Sequence, residues 1–157
     1  MKYFLLIIIP IFFTGCFDSP GQQQKIYQDS LEELEQEIYN QVNAHRRSTG
    51  LPELKWNDHI AREARRHSRE MAARKRPLGH DHFEQRRSRI ADFLPLNSAG
   101  ENVAFCQGPD DIARCVLEGW LASPGHRRIL EGDFVLTGIG AARNGNRVFY
   151  VTQIFWR

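Results

Sequence analysis

Leu136-Thr137-Gly138-Ile139-Gly140-Ala141-Ala142-Arg143 and Arg147-Val148-Phe149-Tyr150-Val151-Thr152-Gln153-Ile154-Phe155-Trp156 flank the dipeptide Asn144-Gly145. The flanking runs carry β-branched and aromatic residues, and Asn-Gly between such runs is the strongest short hairpin signal. Antiparallel strands are expected here, and Glu101 to Phe105 offers another.

Upstream the apolar period is helical. Ser30 with Glu33 reads as a capping box, after which Leu31, Leu34, Ile38 and Val42 recur at helical spacing until Gly50. A second helix opens after Asn57 or Asp58 and turns Ile60, Ala64, His67, Ser68, Met71 and Ala72 inward, its arginines outward. His67 on that stripe reads as a hydrogen-bonded core histidine. A third helix starts near Pro109-Asp110-Asp111, with acids at its positive dipole end. It buries Ile112, Cys115, Val116 and Trp120, stops at Pro124 and delivers His126 to a loop. Helices preceding and flanking a small antiparallel sheet give an α+β, three-layer arrangement.

The chain has 157 residues, 41% hydrophobic and 25% charged, which supports one core and leaves no room for two sizeable domains. A formal charge of +2 gives no reason to expect nucleic acid as a partner. The positive charge is clustered, with Arg62, Arg65, Arg66, Arg69, Arg74, Lys75, Arg76, Arg86, Arg87 and Arg89 in one span. Such a run reads first as a solvated face, and second as a surface for anionic lipid or cell-wall polymer.

The N-terminus gives an address. Lys2 precedes the apolar run Phe4 to Phe13, too short and too proline-interrupted to span a bilayer but suited to an export signal. Phe13-Thr14-Gly15-Cys16 resembles the lipobox of bacterial lipoproteins, with Phe13 in place of the usual leucine. That resemblance implies a signal peptide over 1–15 and diacylation of Cys16 by palmitate-type chains. Acyl chains contribute about 0.8 kcal/mol per buried methylene. A lipid-anchored, extracytoplasmic protein of the bacterial cell envelope follows, on the outer membrane if the cell is Gram-negative, because Phe17 rather than aspartate follows the cysteine. Residues 16–26 then form the anchor and a polar tether, and the folded domain covers 27–157. Cys106 and Cys115 remain as an even pair in an oxidising compartment, read as a disulfide with two buried thiols as the alternative.

Three polar clusters carry the chemistry: Gly79-His80-Asp81-His82, Gly100-Glu101-Asn102 and Ser123-Pro124-Gly125-His126. Two histidines and a glutamate brought together make a metal site or a proton-transfer site. Glu101 has a second role open to it, since a carboxylate commonly orients a metal-bound histidine from behind. Asn102 reads as a residue that satisfies backbone groups.

These clusters, with Val42-Asn43-Ala44-His45-Arg46, Glu63-Ala64 through His67-Ser68 to Met71-Ala72, Gly119-Trp120 through Leu130, Gly138-Ile139-Gly140 and Tyr150 through Phe155, resemble the CAP superfamily of cysteine-rich secretory, antigen 5 and pathogenesis-related proteins, whose bacterial members carry SCP domains. The resemblance implies an α-β-α sandwich with a cleft of two histidines and two acids that holds zinc. By position, His80, Glu101 and His126 match three of the four. The fourth position here is Ser123, in the Ser-Pro-Gly-His form that bacterial members often show. His82 or Asp81 is a candidate extra ligand. Zinc held by so few ligands would be weakly bound. The resemblance implies a binding module for a lipid or cell-envelope component, the alternative being a metal-assisted peptidase or esterase with His80, Glu101 and His126 as its catalytic set.

Overall fold

The computed structural model describes residues 19–108 and 111–157. The export signal, Cys16 and the start of the tether lie outside them, as do Pro109 and Asp110. In chain order the elements are α1 (Pro20–Ser48), β1 (Lys55–Trp56), α2 (Asp58–Ala72), α3 (Phe83–Ala91), β2 (Ala99–Gln107), α4 (Ile112–Ala122), α5 (Pro124–Leu130), β3 (Leu136–Arg143) and β4 (Val148–Trp156). The strands form one sheet in the order β1-β3-β4-β2. The hairpin forms where Asn144-Gly145 placed it, with Arg143 opposite Phe149 and Leu136 opposite Trp156. β2 pairs antiparallel with β4 along its whole length. The sheet departs from a purely antiparallel one at a single edge, where Lys55 and Trp56 pair parallel with Leu136 and Thr137.

Helices α1, α4 and α5 lie on one face of the sheet, α2 and α3 on the other, which makes the α-β-α sandwich. The strand period of two explains how both faces fill. Ile139, Ala141, Val151 and Phe155 enter the core with Leu31, Ile38, Val42, Val116 and Trp120 from α1 and α4. Ile154 and Trp156 point the other way, to Ile60 and Ala64 of α2 and Ile90 of α3. A strand buried on both faces loses its polar alternation, hence the dense apolar reading of β4.

Helix α1 begins at Pro20, ten residues before the expected capping box. Ser30 Oγ donates to the Tyr27 carbonyl 2.8 Å away, a bond within a running helix rather than a cap. The polar stretch read as tether is therefore helical from Pro20 on. Helix α2 starts as read, with Asn57 Oδ1 accepting from the amides of His59 and Ile60. α4 ends at Ala122 as read, with Ser123 extended ahead of the proline, but Pro124 then opens α5 at its first position, where a missing N–H costs nothing, so His126 stands on a short helix and not in a loop. The Cys106–Cys115 disulfide ties the end of β2 to α4. Among the described residues no helix is long and apolar enough to cross a membrane.

α1 also closes the exposed edge of β3. Glu35 Oε1 accepts the Ala141 amide at 2.9 Å, and Tyr27 Oη accepts the Arg143 amide and donates to its carbonyl, both at 3.2 Å. Side chains thus stand in for the missing neighbour strand.

Candidate functional site

Glu101 sits on β2, the edge strand next to β4, and its side chain is 1% exposed. A carboxylate in such a place needs charged partners, and it has two. Arg86, itself 3% exposed, donates from Nε to Oε2 at 2.8 Å and from Nη2 to Oε1 at 2.7 Å, the bidentate fork that suits a carboxylate. His80 Nδ1 meets Oε1 at 3.0 Å. Burial pushes the Glu101 carboxyl up. The bonds from His80 and Arg86, with the Arg86 charge, outweigh it and leave the group below its usual value and ionised.

Arg86 is the residue that sequence reasoning missed. The sequence places it in a basic run that reads first as a solvated face, yet it is buried, on a helix with no convincing apolar stripe. The polar company of Glu101 draws it inward. Its Nη1 also donates to the Asp81 carbonyl at 2.7 Å, which fixes the loop bearing His80. His67 holds that loop from the other side, its Nε2–H donating to the Gly79 carbonyl at 2.8 Å, as a core histidine. Burial, with the nearby Arg86 charge, keeps the His67 imidazole below its usual range against that bond. Asp81 and His82 are exposed, and His82 takes a left-handed backbone (φ 61°) ahead of α3.

Successive residues of β2 face opposite sides, so Asn102 points toward α5, where Nδ2 donates to the His126 carbonyl at 2.9 Å. This is the backbone role read for it. Gly100 makes room for the same helix: a Cβ there would lie 2.9 Å from Ile129 Cγ2. The result is two imidazoles brought together, His80 and His126, with ring centroids 6.3 Å apart. The His80 side chain is half-exposed. Burial and the neighbouring His80 push the His126 imidazole down, so it is neutral at neutral pH with a free lone pair.

The chemistry of the donor set can be tested against a metal. Among the described residues no three His, Cys, Asp or Glu side chains are grouped to hold an ion. Both oxygens of Glu101 are taken by Arg86 and His80, which puts it behind His80, where it fixes the tautomer and leaves Nε2 free. Two imidazoles fit a weakly held divalent cation with water completing its shell; a three-residue protein shell does not fit. Ser123 precedes α5 and makes no side-chain cap bond, so the fourth position supplies no carboxylate.

Arg86→Met is expected to cost about 2 kcal/mol at neutral pH, because it strips a buried carboxylate of its strongest donors. The sign with pH is diagnostic. In the parent the depressed Glu101 pKa stabilises the fold above about pH 4, the unfolded value, and that contribution is lost as pH falls through the folded one. In the variant burial dominates and raises the group, so the gap between the two proteins narrows on acidification. Urea denaturation at neutral pH and near pH 4 checks it; a gap that is constant with pH overturns it.

The family model of the cysteine-rich secretory proteins, CAP, matches residues 39–155. The chain is 32% identical over 129 residues to the uncharacterized membrane protein YlbC of Bacillus subtilis (strain 168), an alignment covering 77% of this chain and 34% of that protein. It therefore spans about a third of that relative's length. An extracellular SCP-domain protein from Bacillus anthracis str. Ames superposes with a TM-score of 0.68 at 28% identity, over 88% of this chain and 44% of the other. An outer surface protein from Borrelia burgdorferi has the same fold, with a TM-score of 0.68 at 18% identity over 80% of this chain and 92% of its own.

Proposed function

Because the chain belongs to the cysteine-rich secretory protein (CAP) family, we propose that it is an extracytoplasmic, membrane-anchored binding module whose working site is the cleft between His80 and His126. One observation carries this reading: Glu101, the only acid in the cleft set, is neutralised by a buried guanidinium and shared with His80. A carboxylate held so is a poor general base, whereas the two imidazoles above it are free to bind. Cys16 anchors the chain through its lipid, and residues 1–15 are the export signal. The disulfide and the membrane or extracellular labels of the Bacillus proteins support that address. The ligand class is a lipid or cell-envelope component with a polar group for the imidazoles.

A divalent ion such as zinc would be held by His80 and His126, and when bound would supply a Lewis-acid contact for an anionic or carbonyl oxygen of the ligand. Glu101 and Arg86 keep His80 in register, and Asn102 keeps α5 and its imidazole against β2. The test is a calorimetric titration of the full chain in detergent with zinc chloride, beside His80→Ala and His126→Ala. Weak binding in the parent that is lost in both variants is expected. Binding that survives both places the metal elsewhere. Ester or peptide hydrolysis that disappears in His126→Ala and with a chelator would replace the binding reading by the hydrolytic one.

A further inference from the structure

The end of the sheet opposite the cleft carries a second feature. Glu101 lies near one end of β2, and Gln107, paired with Val148 beside the hairpin tip, lies at the other, about 20 Å away at the strand rise of roughly 3.3 Å per residue. Three segments converge on that far pole. One cavity of about 320 Å³ is lined by Tyr27 of α1, Arg69 and Ala73 at the end of α2, and Arg143 of β3. Arg74 and Lys75 follow Ala73 directly, and Arg147 stands in the turn that leads from Arg143 to β4. The Arg143 guanidinium lies over the Tyr27 and Phe149 rings, 5.4 and 5.8 Å from their centroids.

Apart from Arg62, whose partner is the His59 ring, and Arg86, buried on Glu101, the basic run divides into two kinds of residue. Arg65 is paired with Glu35, Arg66 and Arg89 with Glu63, Arg76 with Glu70, and Arg87 with Glu84. That part of the face neutralises itself. Arg69, Arg74, Lys75, Arg143 and Arg147 are all exposed, and among the described residues none has a carboxylate within ion-pair distance. Glu32 and the Arg65-bound Glu35 line the same cavity, and Glu33, Glu37 and Asp111 line the adjoining depression with Tyr27 and Arg143, so the positive excess of the pole lies on the side of Arg74 and Lys75, whose depression has no acid in its lining. Apolar groups accompany it. Phe105 is 56% and Leu78 47% exposed. Tyr150, opposite Phe105 in the sheet, lines a depression with Leu78, Arg74 and Lys75.

This is also where the chain leads away from the fold. Tyr27 touches the pole, and α1 begins seven residues earlier at Pro20, about 10 Å farther along the helix axis. Residues 1–18, with Cys16 among them, precede that end. A segment held in a bilayer would therefore tether the fold from this end.

We propose that the pole formed by Arg69, Arg74, Lys75, Arg143 and Arg147 docks on a bilayer surface through anionic phospholipid headgroups, with Phe105 and Tyr150 at the interface, and so turns the His80–His126 cleft away from the membrane. The proposal rests on the anchored reading above for its geometry. Each cation near an anionic surface strengthens association about fivefold, and aromatic side chains settle at the headgroup level.

The experiment is amide hydrogen exchange of the full chain reconstituted in vesicles of phosphatidylcholine alone and in vesicles that also contain phosphatidylglycerol, with flotation read on the same samples. Slower exchange over 69–76 and 143–148 in the anionic vesicles only, reversed by high salt, is expected. It should be abolished in R69Q/R74Q/K75Q/R143Q/R147Q and weakened in the milder R74Q/K75Q, with exchange in β4 unchanged as the sign of an intact fold. Equal exchange in both vesicles, with the chain floating in both, overturns the docking pole and leaves the anchor standing. A chain that floats only with anionic vesicles overturns the anchor and supports the pole. Stronger protection by soluble dextran sulfate than by anionic vesicles reassigns the surface to a polymer and overturns the proposal.

Discussion

Gly140→Ala is expected to cost more than about 3 kcal/mol, at the severe end of overpacking effects. A Cβ on Gly140 would lie 2.0 Å from the Arg65 amide nitrogen and 2.3 Å from the Ala64 carbonyl carbon, and one on Gly138 2.1 Å from the Ala61 amide nitrogen. The obstacles are backbone, so no rotamer relieves them, and α2 must lift off β3 by more than an ångström to restore ordinary contact. Lifting it breaks the Ser68 hydroxyl bonds to the Gly140 carbonyl (2.8 Å) and to Thr152 Oγ1 (2.9 Å), and pulls Ile60 and Ala64 from Ile154 and Trp156. The damage reaches the cleft, because His67 on the same helix holds the Gly79 carbonyl ahead of His80. Gly145→Ala, whose added carbon meets nothing within 4 Å, is the control and should stay within about 0.5 kcal/mol. Thermal midpoints decide it: a fall of about 6–12 °C is expected for Gly140→Ala, and a midpoint within about 2 °C of the parent would show that the helix yields where the packing says it cannot.

The same two glycines mark the limit of what the sequence discloses. The hairpin, the inward stripe of α2, the Asn57 cap, the Cys106–Cys115 pair and the meeting of His80, Glu101 and His126 were legible, because each is written in a local period, a turn dipeptide or a family motif. What failed was non-local. Helix α3 is polar nearly all round, and its buried Arg86 is explained only by Glu101, fifteen residues on. β1 is two residues long and exists because β3 offers it an edge. The early start of α1 was masked by turn formers, whose local preferences the tertiary contacts of Tyr27 and Glu35 with β3 override. The basic run was read as one face, yet its charges divide by partners that lie on other elements. Local sequence fixes which side chains are available; which of them are satisfied is a property of the assembled layers.

Arg46→Met is expected to cost about 4 kcal/mol, and here the reason is polar rather than steric. Arg46 is wholly buried with no carboxylate beside it. Its Nε donates to the Pro52 carbonyl at 2.9 Å, and its Nη1 to the carbonyls of Leu130 at 2.7 Å and Gly132 at 3.0 Å. Two of those acceptors lie at the C-terminal end of α5, where the helix dipole is negative and a cation is favoured. Burial pulls the Arg46 pKa below its usual value, but a guanidinium remains charged throughout the working range, so the effect carries no pH signature. Methionine fills much of the volume, relieves the buried charge and leaves the Pro52 and Leu130 carbonyls without donors, each worth about 1–3 kcal/mol, while the Gly132 carbonyl keeps the Phe134 amide. Lysine keeps the charge but lacks the planar fork, so Arg46→Lys should fall between parent and Met. Because α5 carries His126, the loss is felt in the cleft as well: the half-buried His45–Glu131 contact at 2.9 Å would be left as the main polar tie from α1 to this helix end. The thermal midpoint should fall by about 8–16 °C in Arg46→Met. A loss under about 1 kcal/mol, or a lysine variant no better than methionine, would mean that packing of α1 against α4, and not the carbonyl clamp, sets the position of α5.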